Sequence, residues 1–320
     1  MIKLTKDNVR DLKEVYGNRV AFNVSLSSIS YWKIGGNCEA VVYPNSEGEL
    51  ISIIRFCKSK SIPFVVVGNT SNLLFSDAGL HGILIKIGEN YAKLDVKNNV
   101  LTAQSGVWAP FLARKAMQEG FSGVEHICGI PGTIGGLVYM NGGSQRKTIS
   151  EAVLEVLTVD ENGKFHRYDK TECDFSYRHS IFQGKKEIIL KVSLRLEIEK
   201  NKSDIRTEML STMRARRRKF PNKLPNCGSV FISDPDMFDV YGPPGKIIED
   251  CGLKGLKQNN AQISTMHANF IVNNGGAKAK DVLYLINKVR DTVYERTGYL
   301  LKVEAKYISS FGEVSDIEDL

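Results

Sequence analysis

The chain has 320 residues, 42% hydrophobic and 25% charged, with a formal net charge of +7. That balance fits a globular protein with room for two or three cored domains and excludes a disordered chain. No apolar run approaches membrane-spanning length and the opening Met1-Ile-Lys-Leu-Thr-Lys-Asp7 has no signal core, so a cytoplasmic protein with no membrane partner is expected.

Residues 1–75 read as a short α/β unit. Leu50, Ile53, Ile54 and Cys57 fall at i, i+3, i+4, i+7, so the spacing predicts an amphipathic helix over Glu47–Lys60. Phe64–Val67 reads as a buried strand that ends in Gly68-Asn69-Thr70-Ser71-Asn72 and resumes at Leu73–Phe75. Strand, polar glycine turn, strand is a place where backbone amides can cradle phosphate.

Residues 76–205 are richer in strands, predicted at His81–Ile87, Val100–Gln104, Val153–Val159, Lys164–Tyr168 and Ile188–Leu196, with a hairpin turn at Asp160–Gly163. Between them lies Gly129-Ile-Pro-Gly132-Thr133-Ile-Gly135-Gly136, followed by Leu-Val-Tyr-Met140 and Asn141-Gly-Gly143. Four glycines, a proline and a hydroxyl in eight residues do not make a packed helix or a strand interior. Two readings stand: a concave backbone site for a phosphate or pyrophosphate, or a tight turn that lets two elements pack closely. Neither glycine loop is a Rossmann fingerprint opening a helix in a βαβ unit, nor a Walker loop. A dinucleotide held on another scaffold is the expectation.

Residues 206–306 change character, and 307–320 form a tail. A helical pattern from near Ser203 carries Arg214-Ala-Arg-Arg-Arg-Lys219. Without interleaved aromatics or a groove-reading motif this is a solvated face, or a basic helix end facing an acidic small molecule, and no nucleic-acid partner is expected. A strand is predicted at Ala268–Val272 and a long helix over Lys278–Arg296, with Val282, Leu285, Ile286, Val289 and Val293 on one stripe. Alternation over Leu300–Lys306 puts Lys302, Glu304 and Lys306 on one face, which reads as a solvated edge. Ser315–Leu320 is acidic and expected to fray. The six cysteines, at 38, 57, 128, 173, 227 and 251, are scattered without Cys-x-x-Cys pairing, so neither zinc nor a disulfide framework is suggested. The fold class is α+β, in several domains.

Three polar features stand in apolar or glycine-rich settings. Arg178, in Tyr177-Arg-His-Ser180-Ile-Phe182, is either a clamp on carboxylate or phosphate or a cation–π and interdomain contact. Ser229, in Pro225-Asn-Cys-Gly228-Ser-Val-Phe231, is either a hydroxyl presented to a cleft or an ordinary turn serine. Nothing in the residues alone singles out Glu304. His126 reads as a packed or loop-orienting histidine, His267 points either way, and no Ser-His-Asp triad is present.

In this order, from Tyr31-Trp-Lys-Ile-Gly-Gly36 to Glu304, the pieces resemble the UDP-N-acetylenolpyruvoylglucosamine reductase family. The carriers are Gly68–Leu74, Gly129–Asn141, Tyr177–Phe182, Gly228–Phe231, Gly252-Leu-Lys-Gly255, Ser264–Asn273 and the terminal strand. The resemblance implies a three-domain flavoprotein with a vanillyl-alcohol-oxidase type FAD-binding fold: FAD subdomains over 1–75 and 76–205 and a substrate domain over 206–306. It implies that Gly68, Asn69, Thr70, Ser71, Asn72, Gly129, Gly132, Thr133, Gly135, Gly136 and Asn141 hold FAD. It further implies that NADPH reduces the flavin and that a UDP-sugar enolpyruvyl ether is the substrate. Ser229 would be the general acid, Arg178 and Glu304 its catalytic partners, and Tyr177, Lys219, His267 and Asn269 substrate contacts beside Arg178. About fifty residues separate Arg178 from Ser229, which resembles the family's second type, without an inserted tyrosine loop. A monomer is expected. Departures from the family pattern cluster in the substrate half, at Ile232-Ser-Asp-Pro235, Asn259-Asn-Ala261 and Gly242-Pro-Pro-Gly245, with one in the flavin half at Gly68-Asn-Thr-Ser-Asn72, where Asn69 is a residue that tolerates an unusual φ. They leave open a paralogous flavin reductase acting on another nucleotide-sugar enol ether, or a binding protein without catalysis.

Overall fold

The computed structural model describes residues 4–199 and 201–320. Met1–Lys3, at the head of the stretch read as lacking a signal core, lie outside the described residues. Among the described residues no helix is long and apolar enough to cross a membrane.

The first sheet has four strands in the order Val20–Ser25, Asn37–Val42, Leu80–Lys86 and Phe64–Val67, the first pair antiparallel and the others parallel. The helix Glu47–Ser59 crosses between its parallel strands. Ser46 caps that helix, its hydroxyl accepting from the Glu49 N–H, and Leu50, Ile53, Ile54 and Cys57 form the buried stripe that the spacing predicts. The strand expected at His81–Ile87 occupies the centre of this sheet, so a boundary at residue 75 would sever it from the partners that satisfy its backbone groups.

The second sheet has five antiparallel strands, ordered Phe165–Asp169, Val153–Asp160, Glu187–Arg195, Val100–Gln104 and Leu94–Lys97. The helices Ala109–Glu119 and Lys202–Lys219 share its core through Leu112, Ala116, Ile205 and Met209, which pack with Val192 and Leu194. The remaining core surrounds the helix Ala279–Thr297, whose Val282, Leu285, Ile286, Val289 and Val293 are all buried. They pack with Ala261, Ile263 and Ile271 of a small three-stranded sheet, and with Trp32 and Ile34 from the N-terminal region. Trp32 Nε1 donates to the Ile271 carbonyl, and both carboxylate oxygens of Asp77 accept from the first turn of that helix, at Ala279 and Lys280.

Two expectations change at the C-terminal end. Over Leu300–Lys306 the chain makes only an isolated bridge, Val303 to Phe231, and the regular strand begins at Lys306–Ile308, parallel to Leu73–Phe75. The acidic tail is tied down: Val314–Asp316 pairs with Lys306–Ile308, and Ile317 is buried. Burial of one isoleucine and a strand ladder outweigh the fraying that its charge suggests.

Candidate active site

A cavity of about 1100 Å³ is lined by residues of the first sheet, the second sheet and the C-terminal part of the chain. Both glycine loops line it, together with Arg178, Ser229 and Glu304. That exceeds the usual size of a small-ligand pocket and leaves room for a dinucleotide and a second molecule.

The glycine loops are built against each other. Asn69 Nδ2 donates to the Pro131 carbonyl at 2.6 Å. A Cβ on Gly68 would stand 2.4 Å from Thr133 Oγ1, and one on Gly135 would stand 2.7 Å from the Ser105 Cβ. Thr133 caps the short helix Ile134–Tyr139 by accepting from the Gly136 N–H. The close-packing reading of these glycines therefore holds, and the same two loops line the cavity. In the first loop a positive φ (+57°) falls on Thr70, so the tolerance of Asn69 is not called on. A β-branched residue is strained there; the Thr70 hydroxyl accepts from the Tyr31 N–H and donates to the Ile29 carbonyl, which holds it. Ser105 Oγ lines the same wall, buried and without a hydrogen-bond partner among the described residues. A buried donor left unmatched by protein, beside two small-residue loops, suits a polar ligand such as a pyrophosphate.

Arg178 sits at the tip of a tight turn, closed by reciprocal backbone bonds between Ser176 and His179 and with its own φ at +57°. Helix Ile134–Tyr139 and the residues after it hold that turn. Ser180 Oγ and Gln183 Nε2 donate to the Tyr139 carbonyl, Gln183 Nε2 also reaches the Arg178 carbonyl, and Asn141 Nδ2 donates to the Ser176 carbonyl at 2.7 Å. Asn141 is thus a brace for the Arg178 turn and does not itself line the cavity. Arg178 Nε donates to Glu304 Oε1 at 2.9 Å, and the two side chains are 16% and 17% exposed. Glu304 is no solvated edge residue: it and Lys306 line the cavity, while Lys302 on the same predicted face stays exposed. Burial raises its carboxyl above the usual range, with the Arg178 guanidinium and Lys306 pulling the other way.

Ser229 follows a turn in which Gly228 has φ +85°. Asn226 shapes that turn, its Oδ1 accepting from the Gly228 N–H and its Nδ2 donating to the Pro221 and Leu224 carbonyls. Val230 N–H donates to the Asn269 carbonyl, and Glu304 N–H donates to the Val230 carbonyl at 2.7 Å. Only one residue, Val230, therefore stands between the serine and the backbone bond to the glutamate.

Four expected substrate contacts do not line the cavity. Tyr177 is half-exposed beneath the Arg178 guanidinium, 4.8 Å from its ring centre. Lys219 Nζ lies 5.8 Å from the Phe220 ring centre. His267 packs against Phe220 and Phe270, which do line the cavity, and Gly245 abuts it so closely that a Cβ would stand 2.8 Å from Cε1. The Gly-Pro-Pro-Gly departure thus serves packing against His267, whose pKa is lowered to about 4 by burial and by Lys219 and Lys254. Asn269 is buried and bonded to Phe231. The basic run contributes Arg216 instead. Its guanidinium lines the cavity, lies 5.0 Å from the Phe220 ring centre, and has no carboxylate within ion-pair distance among the described residues. Only its place in a six-residue basic stretch marked it in the sequence; helix phase turns it inward.

Comparison with known proteins fits this geometry. A family model for the UDP-N-acetylenolpyruvoylglucosamine reductase C-terminal domain matches residues 220–308, and one for an FAD binding domain matches residues 38–169. UDP-N-acetylenolpyruvoylglucosamine reductase 1 of Corynebacterium glutamicum is 44% identical over 302 residues, covering 94% of this chain and 90% of its own. The chain belongs to the UDP-N-acetylenolpyruvoylglucosamine reductase family. A second relative so named, from Heliobacterium modesticaldum, is 39% identical over 90% of each chain. The crystal structure of the Thermus caldophilus enzyme superposes with a TM-score of 0.74 at 32% identity, over 89% of this chain and 97% of that one. The expected α+β flavoprotein fold holds, and the reductase is an FAD-dependent oxidoreductase.

Proposed function

We propose that the protein reduces UDP-N-acetylglucosamine enolpyruvate to UDP-N-acetylmuramate with electrons from NADPH, a step of peptidoglycan precursor synthesis. The observation that carries this reading is that Arg178, Ser229 and Glu304 line the same cavity as the two glycine loops. Gly68–Asn72 and Gly129–Gly136 would hold the FAD pyrophosphate, with Ser105 Oγ as a further donor. The cofactor held there would supply hydride-transfer chemistry between NADPH and the β-carbon of the enolpyruvyl ether. Negative charge then develops on the α-carbon and its carboxylate. Arg178 grips that carboxylate with charge-assisted hydrogen bonds that strengthen as the charge grows. Glu304, bonded to Nε, orients the guanidinium. Ser229 Oγ donates the proton to the α-carbon. A hydroxyl is a weak acid, and the carbanion-like centre is basic enough to take its proton. Arg216, with Lys223, faces the diphosphate. The FAD-binding halves are built on the first and second sheets, with their boundary after Lys86, and the substrate domain on the chain from 206 to 306. The protein acts in the cytoplasm as a monomer.

Anaerobic absorbance tests the reading directly. NADPH should bleach the flavin and UDP-N-acetylglucosamine enolpyruvate should restore its colour. Ser229→Ala should leave bleaching intact and nearly abolish recolouring. Bleaching of the unaltered protein without recolouring would mean that the substrate is a different nucleotide sugar.

A further inference from the structure

Asn269 makes an unusual set of contacts. Its Oδ1 accepts from the Phe231 N–H at 2.8 Å, its Nδ2 donates to the Phe231 carbonyl at 2.9 Å, and its own carbonyl accepts from the Val230 N–H at 2.9 Å. One residue thereby satisfies three backbone groups on the two residues after Ser229. On the opposite side of that segment, Glu304 N–H donates to the Val230 carbonyl and Ile232 N–H to the Lys302 carbonyl. The segment is held as a middle strand would be, except that one of its neighbours is a single asparagine.

Ser229 Oγ makes no hydrogen bond among the described residues, so no side-chain contact fixes it. Its position is inherited from the backbone, from the Asn226 turn before it and from Val230–Phe231 after it. Asn269 is 5% exposed and does not line the cavity, and its carboxamide is committed at both ends to Phe231.

We propose that Asn269 is a positioning residue for the proton donor, its carboxamide pinning Val230–Phe231 so that the Ser229 hydroxyl is held at the cavity wall and in register with Glu304. The inference rests on the assignment of Ser229 as proton donor. Truncating Asn269 leaves the Phe231 N–H and carbonyl buried without partners, a state that the chain relieves by moving. A displacement of about 1 Å at a reacting group is enough to cost about 100-fold in rate. Only the step that uses Ser229 should feel it.

The test is stopped-flow absorbance of the FAD-loaded protein in its two half-reactions. In Asn269→Ala, bleaching by NADPH should keep its wild-type rate, while recolouring by UDP-N-acetylglucosamine enolpyruvate slows about 100-fold with little change in the substrate concentration for half-saturation. In a Ser229→Ala background the same change should slow recolouring less than twofold further. Multiplying losses, or equal slowing of both half-reactions, would overturn the proposal. Asn269→Asp keeps the shape and serves if the alanine variant does not fold. Its protonated carboxyl restores the donor to the Phe231 carbonyl and its charged form repels it, so recolouring relative to wild type should recover as pH falls. A variant equally slow at every pH would refute the pinning role. Failure of the wild-type flavin to recolour would instead refute the assigned reaction, and is seen before any variant is made.

Discussion

Replacing Arg178 by methionine would leave Glu304 without its cation in a wall where both side chains are more than four-fifths buried. Removing one partner of a buried ion pair costs about 3–5 kcal/mol, because the other charge stays desolvated and unmatched. Lys306 still attracts the carboxylate, which argues for about 3 kcal/mol, the lower end of that range. A carboxyl escapes the penalty by taking up a proton, so the loss must depend on pH. Burial already raises Glu304 in the folded protein, and loss of Arg178 raises it further. A raised carboxyl costs nothing below its unfolded pKa of about 4.3 and destabilises progressively as pH climbs from there to the folded value, at about 1.4 kcal/mol per unit. Arg178→Met should therefore lie close to wild type at pH 5 and about 3 kcal/mol below it at pH 8. Urea unfolding of the FAD-saturated protein at both pH values measures the gap. The double variant Arg178→Met/Glu304→Gln removes the buried charge and should regain most of the loss at pH 8. An equal gap at both pH values, or a double variant no more stable than the single one, would show that the buried charge is not its source.

Two further outcomes follow from the same geometry. Gly68→Ala drives a methyl to within 2.4 Å of Thr133 Oγ1, the hydroxyl that caps the helix after the second glycine loop. Overpacking of this kind costs about 1–3 kcal/mol, so fluorescence titration of the apo-protein should show FAD binding weakened about 10- to 100-fold, and unchanged affinity would refute the two-loop cradle. Acid should also destabilise the protein through its buried histidines. His267 is lowered to about 4, and burial lowers His126, whose ring nitrogens have no partner among the described residues. Their neutral forms favour the fold, so this stability is complete above the unfolded pKa of about 6.5. It drains as pH falls from there, with the His267 share exhausted near 4. His267→Leu should flatten the melting temperature against pH over that window; an undiminished slope would place the acid sensitivity elsewhere.

The sequence by itself determined the elements whose chemistry is local. Helix Glu47–Ser59 and helix Ala279–Thr297 were legible because a 3.6-residue apolar period needs no partner to be seen, and the hairpin at Asp160–Gly163 because turn residues carry their own φ preferences. The two loops were visible, one as a glycine cluster and one as a polar turn opened by Gly68, for the same reason. Arg178 and Ser229 stood out by their apolar or glycine-rich settings with two readings each; family resemblance chose between those readings and supplied Glu304, which the residues alone did not single out. Tertiary structure decided what local pattern cannot encode. Alternation put Lys302, Glu304 and Lys306 on one face, but only the surrounding cores decide that Glu304 and Lys306 meet a cavity while Lys302 meets water. Arg216 among six neighbouring positions, Thr70 and not Asn69 at positive φ, and the tail strand beside Lys306–Ile308 were all fixed by long-range partners. Asn269 and Asn141 show the same limit most clearly. Carried over as ligand contacts, both spend their amides on the backbone, holding Ser229's segment and the Arg178 turn. A carboxamide satisfies a ligand and a peptide group equally well, so its role is set by what the fold places beside it.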